Sequence, residues 1–346
     1  MDRTLLEALG RRVRVGMVGG GADSVIGRTH LTAMRTDGFC DFVAGAMSID
    51  PQIAAASGRQ ELLAPDRIYT DWRDMLEKEA ARPDRIDLVV VATPPRLHLP
   101  VARAFLERGF DVLCEKPMTH DLAEARDLAA TVKRTGRLFC LGHCYTGYPM
   151  VRQARAMVEA GAIGTVRLIE AEFSVGAPAL VVEPDDPARR HWRFRPELAG
   201  KTGLLGECGS HAYHMAGYIT GLRAERVSAV MTTFAARREV YDNCYITARF
   251  GDGVQGRLWT SYVAAGNDHG LTMKIYGETG NLTWWQEDGD ILWHTPLGGP
   301  AMRLAHGHDC YADATRSATR ISAGHPEGYL MAFANLYQEF AQAIIA

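Results

Sequence analysis

Apolar residues in the first 145 positions come in short runs that alternate with amphipathic stretches. The segment DLVVVA, residues 87–92, is apolar at consecutive positions, which is typical of a central strand covered on both faces. Strands alternating with helices in this way predict a doubly wound α/β fold with a parallel sheet. The predicted strands of this sheet are 13–18, 42–47, 86–92, 110–114 and 138–141.

The pattern changes after residue 145. A helix is predicted near 150–159, and it is followed by long runs in which apolar and polar residues alternate, with turn residues such as Gly-Asp-Gly at 251–253 between them. These runs predict an α+β domain with a large open, mainly antiparallel sheet, followed by a last helix from about Tyr329. The predicted domains are 1–145 and 146–346.

Composition narrows the range of partners. The chain of 346 residues has a net charge of −3, so it presents no basic footprint for nucleic acid. Its apolar runs fall short of the roughly 18 to 20 residues of a membrane span, and its start lacks the order of a signal peptide. The seven cysteines are odd in number and form no C-x-x-C pair, which favours reduced thiols. We therefore expect a cytoplasmic protein that acts on a small molecule.

Two groups of side chains could bind a metal by their chemistry alone. Neither group has a recognised zinc spacing, so no metal site is predicted. The groups are Glu207, Cys208, His211 and His214, and Cys140, His143 and Cys144.

Glycines follow the first predicted strand directly, in VRVGMVGGGADSVIGRTH. Glycines at this point let backbone amides approach a pyrophosphate, and the helix that opens near Ile26 adds a favourable partial charge. Five residues separate Gly21 from Gly27, so the spacing is not the standard G-x-G-x-x-G, and a plain glycine turn is the alternative. The predicted cofactor contacts here are Gly19, Gly21, Ser24, Ile26 and Gly27.

The end of the second predicted strand bears on the choice between NAD and NADP. An acidic residue is expected there to bond the ribose hydroxyls, but the sequence has Ser48, with Asp50 two residues later. Ser48 would tolerate a 2′-phosphate, yet no lysine or arginine follows until Arg59. The choice stays open, with a slight preference for NAD.

The apolar run DVLC ends in Glu115, Lys116 and Pro117. Ligands of an open parallel sheet lie outside the carboxyl ends of its strands, so Lys116 is predicted to point at the ligand crevice. A solvated ion pair at a strand end is the alternative. Pro117 favours a functional interpretation, because proline fixes the chain directly after the lysine.

Several segments together resemble the glucose-fructose oxidoreductase/inositol dehydrogenase (Gfo/Idh/MocA) family of NAD(P)-dependent oxidoreductases. They are ATPPRLH, EKP, GYPMVRQARAMVEAGAIGTVR, GECGSHAYHMAGYITGL and GHPEGYL, in the order of the family. The resemblance implies a Rossmann-type first domain, an open sheet used for contacts in a homo-oligomer, dimer or tetramer, and catalysis by Lys116, often beside a cis Lys-Pro bond. It also implies that Thr93, Pro94, His98 and Glu115 lie near the cofactor.

The segment GECGSHAYH places Glu207 and His211 four residues apart, on one face of a helical turn. The family has Asp-x-x-x-His at this point, with the histidine as acid/base, so the resemblance implies that His211 is the base. Glu207 replaces the aspartate, and one extra methylene shifts the carboxylate enough to affect rate or substrate choice. A core histidine is the alternative for His211.

Five further residues are candidates for substrate contacts. His143 and Tyr145 follow the last strand of the first sheet, where most family members have Asn in place of Cys144. Trp192 and Arg193 lie in a polar loop, and His325 lies in GHPEGYL; packing at the surface is the alternative for these three. The candidates are His143, Tyr145, Trp192, Arg193 and His325.

The function that follows is transfer of a hydride between a ring carbon bearing a hydroxyl and the nicotinamide of NAD or NADP. By resemblance, the substrate is a sugar, a sugar derivative or a cyclitol. The alternatives are a cofactor-binding sensor or regulator that has lost its chemistry, which Glu207 favours, and a metal-dependent hydrolase or lyase. Family members are expected to continue past the last predicted helix, so the sequence is either naturally short or incomplete at Ala346.

Overall fold

The first sheet of the computed structural model, which describes residues 4–200 and 202–345, has five strands in the order β2-β1-β3-β4-β5. Every neighbouring pair is parallel. All five predicted strands are confirmed, with ends that differ by up to two residues. The strands are β1 (Val13–Gly19), β2 (Cys40–Ala46), β3 (Leu88–Ala92), β4 (Asp111–Cys114) and β5 (Phe139–Leu141).

Helices accompany these strands, and side-chain caps explain where four of them begin. Ser24, Asp50, Asp71 and Asp121 each accept a hydrogen bond from a backbone N–H of the first turn. The Glu124 N–H donates to Asp121, and the Glu124 carboxylate bonds the His120 ring. The helices are α1 (Thr4–Leu9), α2 (Val25–Thr36), α3 (Pro51–Gln60), α4 (Trp72–Ala81), α5 (His98–Glu107) and α6 (Leu122–Thr135).

The strand order reverses between β1 and β3. Val89, Val91, Phe105 and Val112 are fully buried around this point, as a sheet covered by helices on both faces requires. In open α/β sheets the ligand crevice forms at such a switch point, outside the carboxyl ends of the strands. The residues that follow β1 and β3 are therefore the first place to look for a nucleotide site.

The second sheet has eight strands in the order β13-β12-β11-β10-β6-β9-β8-β7. Its pairs are antiparallel except β6 with β9, which are parallel, so the predicted mainly antiparallel sheet is confirmed. The strands are β6 (Val166–Ser174), β7 (Ala224–Thr232), β8 (Asn243–Phe250), β9 (Gln255–Ser261), β10 (Leu271–Gly277), β11 (Gly280–Trp285), β12 (Ile291–Pro296) and β13 (Met302–Ala305).

Helices cover one face of this sheet. Two of the helices below pack on it, the first on β11 and β12 and the third on β6 and β10, and the other face keeps exposed apolar side chains such as Leu168 and Tyr245. A π-helical turn, Leu205–Gly209, runs directly into the third of these helices. The helices are α7 (Pro149–Glu159), α8 (Pro196–Ala199), α9 (Ser210–Thr220), α10 (Asp313–Ser317) and α11 (Gly328–Ile345).

The chain forms two compact units. The first comprises the described residues up to Gly142 together with those from Phe333 onward, and the second comprises His143–Ala332. The sequence-based division at 145/146 placed the whole of α11 in the second domain. In the structure the later part of α11 groups with the first unit, where the rings of Phe333 and Tyr337 contact His30 edge to face. Across residues 4–200 and 202–345, every helix is too short or too polar to span a lipid bilayer.

Candidate active site

The turn after β1 has a backbone that only glycine fits. Gly19 has φ +79°, and a Cβ there would lie 2.4 Å from the carbonyl oxygen of Ala92 at the end of β3. A Cβ at Gly27 would lie 2.0 Å from the carbonyl oxygen of Gly20. These contacts bring the turn, the start of α2 and the end of β3 together at the switch point, with no side chain between them.

The N-terminus of α2 is accessible. Ser24 caps it by accepting from the Gly27 N–H at 3.2 Å, and Val25, the first helical residue, is 73% exposed. The Ser57 hydroxyl accepts from the Ala22 N–H at 2.9 Å and holds the turn from the other side. Free amides at a helix N-terminus favour an anion, so the turn fits the pyrophosphate of a dinucleotide. A pocket at this turn is lined by Gly20, Gly21, Ala22, Arg28, Met47, Ser57 and Gln60.

The segment after β2 is where a contact with the ribose hydroxyls was expected. The Asp50 carboxylate caps α3, accepting from the N–H groups of Gln52 at 2.7 Å and Ile53 at 3.3 Å. The Ser48 hydroxyl accepts from the Asp50 N–H at 3.1 Å. Asp50, the nearest acidic residue after β2, thus caps α3. It lies two residues beyond the position expected for a contact with the ribose hydroxyls.

Thr93 and His98 lie beyond β3. The Thr93 hydroxyl is buried and has no hydrogen-bond partner among the described residues, so it has bonding capacity to offer a ligand. The fully buried His98 ring bridges two loops through the carbonyl oxygens of Thr93, at 2.9 Å, and Pro117, at 2.7 Å. Burial lowers the pKa of His98, and the two carbonyls offset part of that effect. Pro94 starts the 3₁₀ turn Pro95–Leu97 between them.

Glu115 is buried in a hydrogen-bonded chain. Its Oε1 lies 3.0 Å from His30 Nε2, and His30 Nδ1 lies 2.7 Å from the Tyr337 hydroxyl. Burial raises the pKa of Tyr337 well above its usual range, so the phenol keeps its proton and donates to Nδ1 while Nε2–H donates to the carboxylate. The second oxygen of Glu115 accepts from the Lys116 N–H at 3.1 Å, and the Lys116–Pro117 bond is cis. This chain of bonds holds the backbone that carries Lys116.

The second unit contains a group of aromatic and imidazole side chains that we call the imidazole cluster: His143, Tyr145, His211, His214 and His269. His143 Nδ1 lies 3.2 Å from His211 Nδ1, and the rings of His143 and His214 stack 4.2 Å apart. The Tyr145 ring meets the His211 ring edge to face at 4.6 Å, and its hydroxyl bonds His269 Nε2 at 3.0 Å. His143 and His211 are buried.

Burial sets the charge of the outer members of this cluster. It lowers the pKa of His214 and of His269, and it raises the pKa of Tyr145 well above its usual range. All three side chains are therefore neutral around pH 7. These three members place hydrogen-bonding rings without fixed charge beside His143 and His211, which suits a histidine that gains and loses a proton.

Glu207 lies on the π-helical turn, one helical turn before His211. Its Oε2 accepts from Arg193 Nε at 2.6 Å and from the Tyr262 hydroxyl at 3.1 Å. Burial and the charge of Glu207 raise the pKa of Tyr262 well above its usual range, so Tyr262 donates. The longer side chain is thus anchored by two donors. Arg193 also lies 4.9 Å from the centre of the Trp192 ring, which groups Trp192, Arg193 and Glu207.

The loop that carries Trp192 and Arg193 is held by a buried arginine. Arg238 bonds Glu183 at 3.0 Å and the Pro178 carbonyl at 3.0 Å, and its guanidinium lies 4.1 Å from the centre of the Phe194 ring. The 3₁₀ turn Trp192–Phe194 is therefore fixed by a side chain from the segment between β7 and β8. This order makes the loop suited to contact a substrate.

His325 stands apart from these groups. Its ring is exposed and contacts Ser322, and its carbonyl accepts from His306. The hydrogen bonds of its ring that the structure describes go to Ser322. The structure thus places four of the five candidate substrate residues in two sets. His143 and Tyr145 lie beside His211, and Trp192 and Arg193 lie beside Glu207. The contacts described for His325 join it to neither set.

The sequence reasoning did not identify Tyr262, His269, His30 or Tyr337. Tyr262 and His269 are 55 and 124 residues from the side chains that they bond. The one available signal was their position beside a strand end, Tyr262 directly after β9 and His269 two residues before β10, where loops commonly carry binding residues. Among residues 4–200 and 202–345, the ligand atoms of His120, Asp121 and Glu124 lie within 4.8 Å of one another, and neither group considered from the sequence does this. Capping of α6 accounts for that surface group.

Comparison with known proteins agrees with both parts of this description. Residues 13–143 match the model of an oxidoreductase family with an NAD-binding Rossmann fold, and residues 151–283 match the GFO/IDH/MocA C-terminal domain. The chain is 30% identical over 341 residues to the uncharacterized oxidoreductase YfiI of Bacillus subtilis (strain 168), covering 98% of this chain and 87% of that protein. It is 26% identical over 312 residues to levoglucosan dehydrogenase of Pseudarthrobacter phenanthrenivorans, covering 82% and 76%.

Solved structures show the same architecture. The NAD⁺ complex of an inositol dehydrogenase homolog from Azotobacter vinelandii has a TM-score of 0.93 and 36% identity, covering 97% of this chain and 86% of that chain. The complex of the Azotobacter homolog with NADH and myo-inositol has a TM-score of 0.90 and 34% identity, with the same coverage of 97% and 86%.

Proposed function

The chain belongs to the Gfo/Idh/MocA family of NAD-binding oxidoreductases, and on that premise we propose that it oxidises a ring hydroxyl of a sugar, a sugar derivative or a cyclitol. The observation that carries the proposal is the buried pair of His143 and His211, which provides a proton acceptor beside the Tyr145 ring. Named relatives act on or bind polyols of this kind, as levoglucosan dehydrogenase and the complex with myo-inositol indicate.

The first unit binds the cofactor in this proposal. Gly19, Gly21 and Gly27 allow close approach of the pyrophosphate, Ser24 and Ile26 lie at the helix N-terminus, and Thr93 offers its buried hydroxyl. When bound, the nicotinamide supplies the hydride acceptor. We favour NAD over NADP, because no lysine or arginine follows Ser48 before Arg59 and the Azotobacter homolog was solved with NAD⁺ and with NADH.

Three residues carry the chemistry. His211 accepts the proton of the substrate hydroxyl, since an imidazole titrates near neutral pH. The Lys116 ammonium stabilises the negative charge that develops on the substrate oxygen, and the backbone that carries it is anchored by Glu115. Glu207, held by its two donors, bonds a neighbouring substrate hydroxyl or orients His211.

Substrate contacts come from two sets of side chains. Tyr145 and His143 border His211, and Trp192 and Arg193 form the face beside Glu207. An aromatic ring next to a charged pair suits a polyol, because the ring covers C–H groups while the charges bond hydroxyls. His325 is proposed as a separate substrate contact, since it belongs to neither set.

The protein is also proposed to act as a homo-oligomer in the cytoplasm. The face of the second sheet that lacks helices carries Leu168, Tyr245 and Trp285, with exposures of 48%, 51% and 38%. Arg257 lies among them, bonded to Glu170 at 3.2 Å. Exposed aromatic side chains mixed with ion pairs are typical of a surface that contacts another chain.

A panel of sugars and inositols with NAD⁺ and NADP⁺ tests this function by the absorbance of the reduced nicotinamide. We expect turnover with NAD⁺ and a cyclic polyol, and a fall of about 10²- to 10⁴-fold in kcat for Lys116→Ala and for His211→Ala. The affinity for NADH should stay within about 3-fold for His211→Ala, because the helix N-terminus and the glycine turn supply the nucleotide site.

Two matched variants complete the experiment. Lys133→Ala changes an exposed cation of α6, and His308→Ala changes an exposed imidazole of a surface turn. We expect both to leave turnover unchanged. Unchanged turnover in Lys116→Ala and His211→Ala, or absence of turnover with the whole panel while NADH binds, would refute the proposed function.

A further inference from the structure

The contact between His143 and His211 joins two ring nitrogens of the same kind. The Nδ1 atoms lie 3.2 Å apart, and the residues are only 9% and 4% exposed. A hydrogen bond between two imidazole nitrogens requires a proton on one and a lone pair on the other. When both rings are neutral, the pair therefore has two states, which differ in which ring donates.

Only one of these states leaves His211 able to act as a base. If His143 donates, neutral His211 carries its proton on Nε2, and Nε2 has no lone pair to offer. If His211 donates through Nδ1–H, its Nε2 has a free lone pair. The hydrogen bond made by one ring nitrogen thus sets the chemistry of the other, as in histidines oriented by a partner.

We propose that His143 is a positioning residue that accepts a hydrogen bond from His211 Nδ1–H and thereby holds His211 in the tautomer that can accept a proton. This inference rests on the proposed function. In the step concerned, the O–H bond of the substrate breaks and an N–H bond forms at His211 Nε2. The electron pair of the O–H bond forms the second C–O bond, and the hydride on that carbon would pass to the nicotinamide. The Nδ1–H bond to His143 persists and becomes charge-assisted, which stabilises the imidazolium.

The surroundings of His143 fit a fixed hydrogen-bond acceptor. Its ring stacks on His214 at an interplanar angle of 10°, and burial lowers the pKa of His214, so the stacked partner brings no positive charge. Its backbone is held as well, because the Thr146 hydroxyl donates to the His143 carbonyl at 3.0 Å. Ring orientation and backbone are both fixed, as a positioning role requires.

Two rings that contact His211 from other elements are bonded elsewhere or have no polar atom. Tyr145 presents its ring edge to face, and its hydroxyl is engaged with His269. Phe173 of β6, whose ring centre is 6.0 Å away, cannot bond at all. Glu207 lies on the same helical segment as His211, and its Oε2 is held by Arg193 and Tyr262.

Two substitutions test whether His143 acts as a hydrogen-bond acceptor or only as a packing ring. His143→Asn places its carbonyl Oδ1 near the position of Nδ1, whereas His143→Phe keeps a ring and removes the acceptor. A hydrogen bond to a charged group is strong enough that we expect kcat to fall by about 10- to 100-fold in His143→Phe. Recovery to within about 3-fold of the wild type is expected in His143→Asn. Equal losses in both variants, or no loss in His143→Phe, would overturn the proposal.

A double-mutant cycle shows whether His143 acts through His211. In the His211→Ala background the acceptor has nothing to orient, so adding His143→Phe should change the residual kcat by less than about 2-fold. The same substitution should lower kcat in the wild-type background. A loss of equal size in both backgrounds would show that His143 acts independently of His211.

A spectroscopic measurement distinguishes this inference from the proposed function. In protein labelled with ¹⁵N-histidine, the two ring nitrogens of each of the 12 histidines report whether they carry a proton, and His211→Ala and His143→Phe assign the signals. We expect a protonated Nδ1 and a bare Nε2 for His211 at pH 7.5. The opposite tautomer would overturn the inference whatever the turnover. Failure of the substrate panel with the expected tautomer present would overturn the proposed function alone.

Discussion

The glycine turn after β1 and the imidazole cluster of the second unit are built in contrasting ways. The turn is a backbone structure, in which glycines at 19, 20 and 27 allow strand and helix to approach within contact distance. The cluster is a side-chain structure, assembled from residues 143–145, 211–214 and 269. A site made of backbone is encoded over a few neighbouring positions, whereas a site made of side chains depends on the topology of a whole domain.

This difference affects what each region tolerates. The turn has almost no room for an added methyl group, because its constraints are steric and backbone atoms cannot move aside. The cluster tolerates changes of shape but not of hydrogen-bonding capacity, since its members act through donors and acceptors. The predictions below test these two kinds of sensitivity.

Of the four changes described next, Gly27→Ala should have the largest effect. Its Cβ would lie 2.0 Å from the Gly20 carbonyl oxygen, so α2 must shift away from the turn. Overpacking of this kind costs about 1 to 3 kcal/mol, and we expect the Kd for NADH, measured by fluorescence titration, to rise by up to about 100-fold. Gly251→Ala is the matched control, because the nearest atom to its Cβ is a side-chain oxygen at 3.8 Å. An unchanged Kd in Gly27→Ala would mean that the nucleotide does not bind against this turn.

A smaller effect on the other region is expected for Glu207→Gln. The change removes the charge that pairs with Arg193 and keeps the size of the side chain. We expect kcat/KM to fall by about 10-fold, because Arg193 is partly exposed and water screens part of the interaction, while the Kd for NADH is unchanged. Glu278→Gln, which changes an exposed glutamate bonded to Arg167, should have no effect on kcat/KM. A weaker NADH affinity in Glu207→Gln would contradict the assignment of Glu207 to the substrate and of the glycine turn to the nucleotide.

The buried His98 predicts how stability depends on pH. Burial lowers the pKa of His98 in the folded state, so below about pH 6.5 the unfolded chain binds more protons than the folded one, and stability falls as the pH falls. We expect the free energy of unfolding, measured with urea, to decrease less between pH 7.5 and pH 5.5 in His98→Asn than in the wild type. The exposed His308→Asn should follow the wild type. A steeper decrease in His98→Asn would contradict the sign of this effect.

The smallest effect is expected for Asp50→Ala. If the carboxylate serves as the cap of α3, its loss should lower the free energy of unfolding by about 1 kcal/mol and leave the Kd for NADH within about 2-fold. Asp121→Ala, which removes the corresponding cap of α6, should cost a similar amount. A rise of about 10-fold or more in the Kd for NADH in Asp50→Ala alone would instead assign Asp50 to the ribose hydroxyls.

The fold of the first unit was largely predictable because its signals are local. Each strand is a continuous apolar run and each helix a periodic stretch, and four helices begin at capping residues that the sequence displays. In the second sheet, alternation predicted strands but not their partners. The parallel pairing of β6 with β9 joins segments about 90 residues apart. A strand buried on one face alternates apolar and polar residues whether its partner runs parallel or antiparallel, so the sequence does not tell the two apart.

The candidate site was predictable to the extent that its residues stand in recognisable motifs. Lys116 and His211 lie in such motifs, and the turn glycines follow a strand. His269 and Tyr262 carry no motif, since a loop histidine and a tyrosine after a strand are common in any protein. His143 was chosen from its position, but its contact with His211 depends on how the chain folds over 68 residues. Contacts of this range come from tertiary structure and leave no local pattern.

The most direct test of the account is a single-turnover measurement. Wild-type protein and His211→Ala are each saturated with NAD⁺ and then mixed with a cyclic polyol from the active part of the panel, while reduction of the nicotinamide is followed. We predict that the two proteins bind NADH with the same affinity within about 3-fold, and that the first turnover is at least about 100-fold slower in His211→Ala. Equal first-turnover rates in the two proteins would contradict the assignment of His211 as the base.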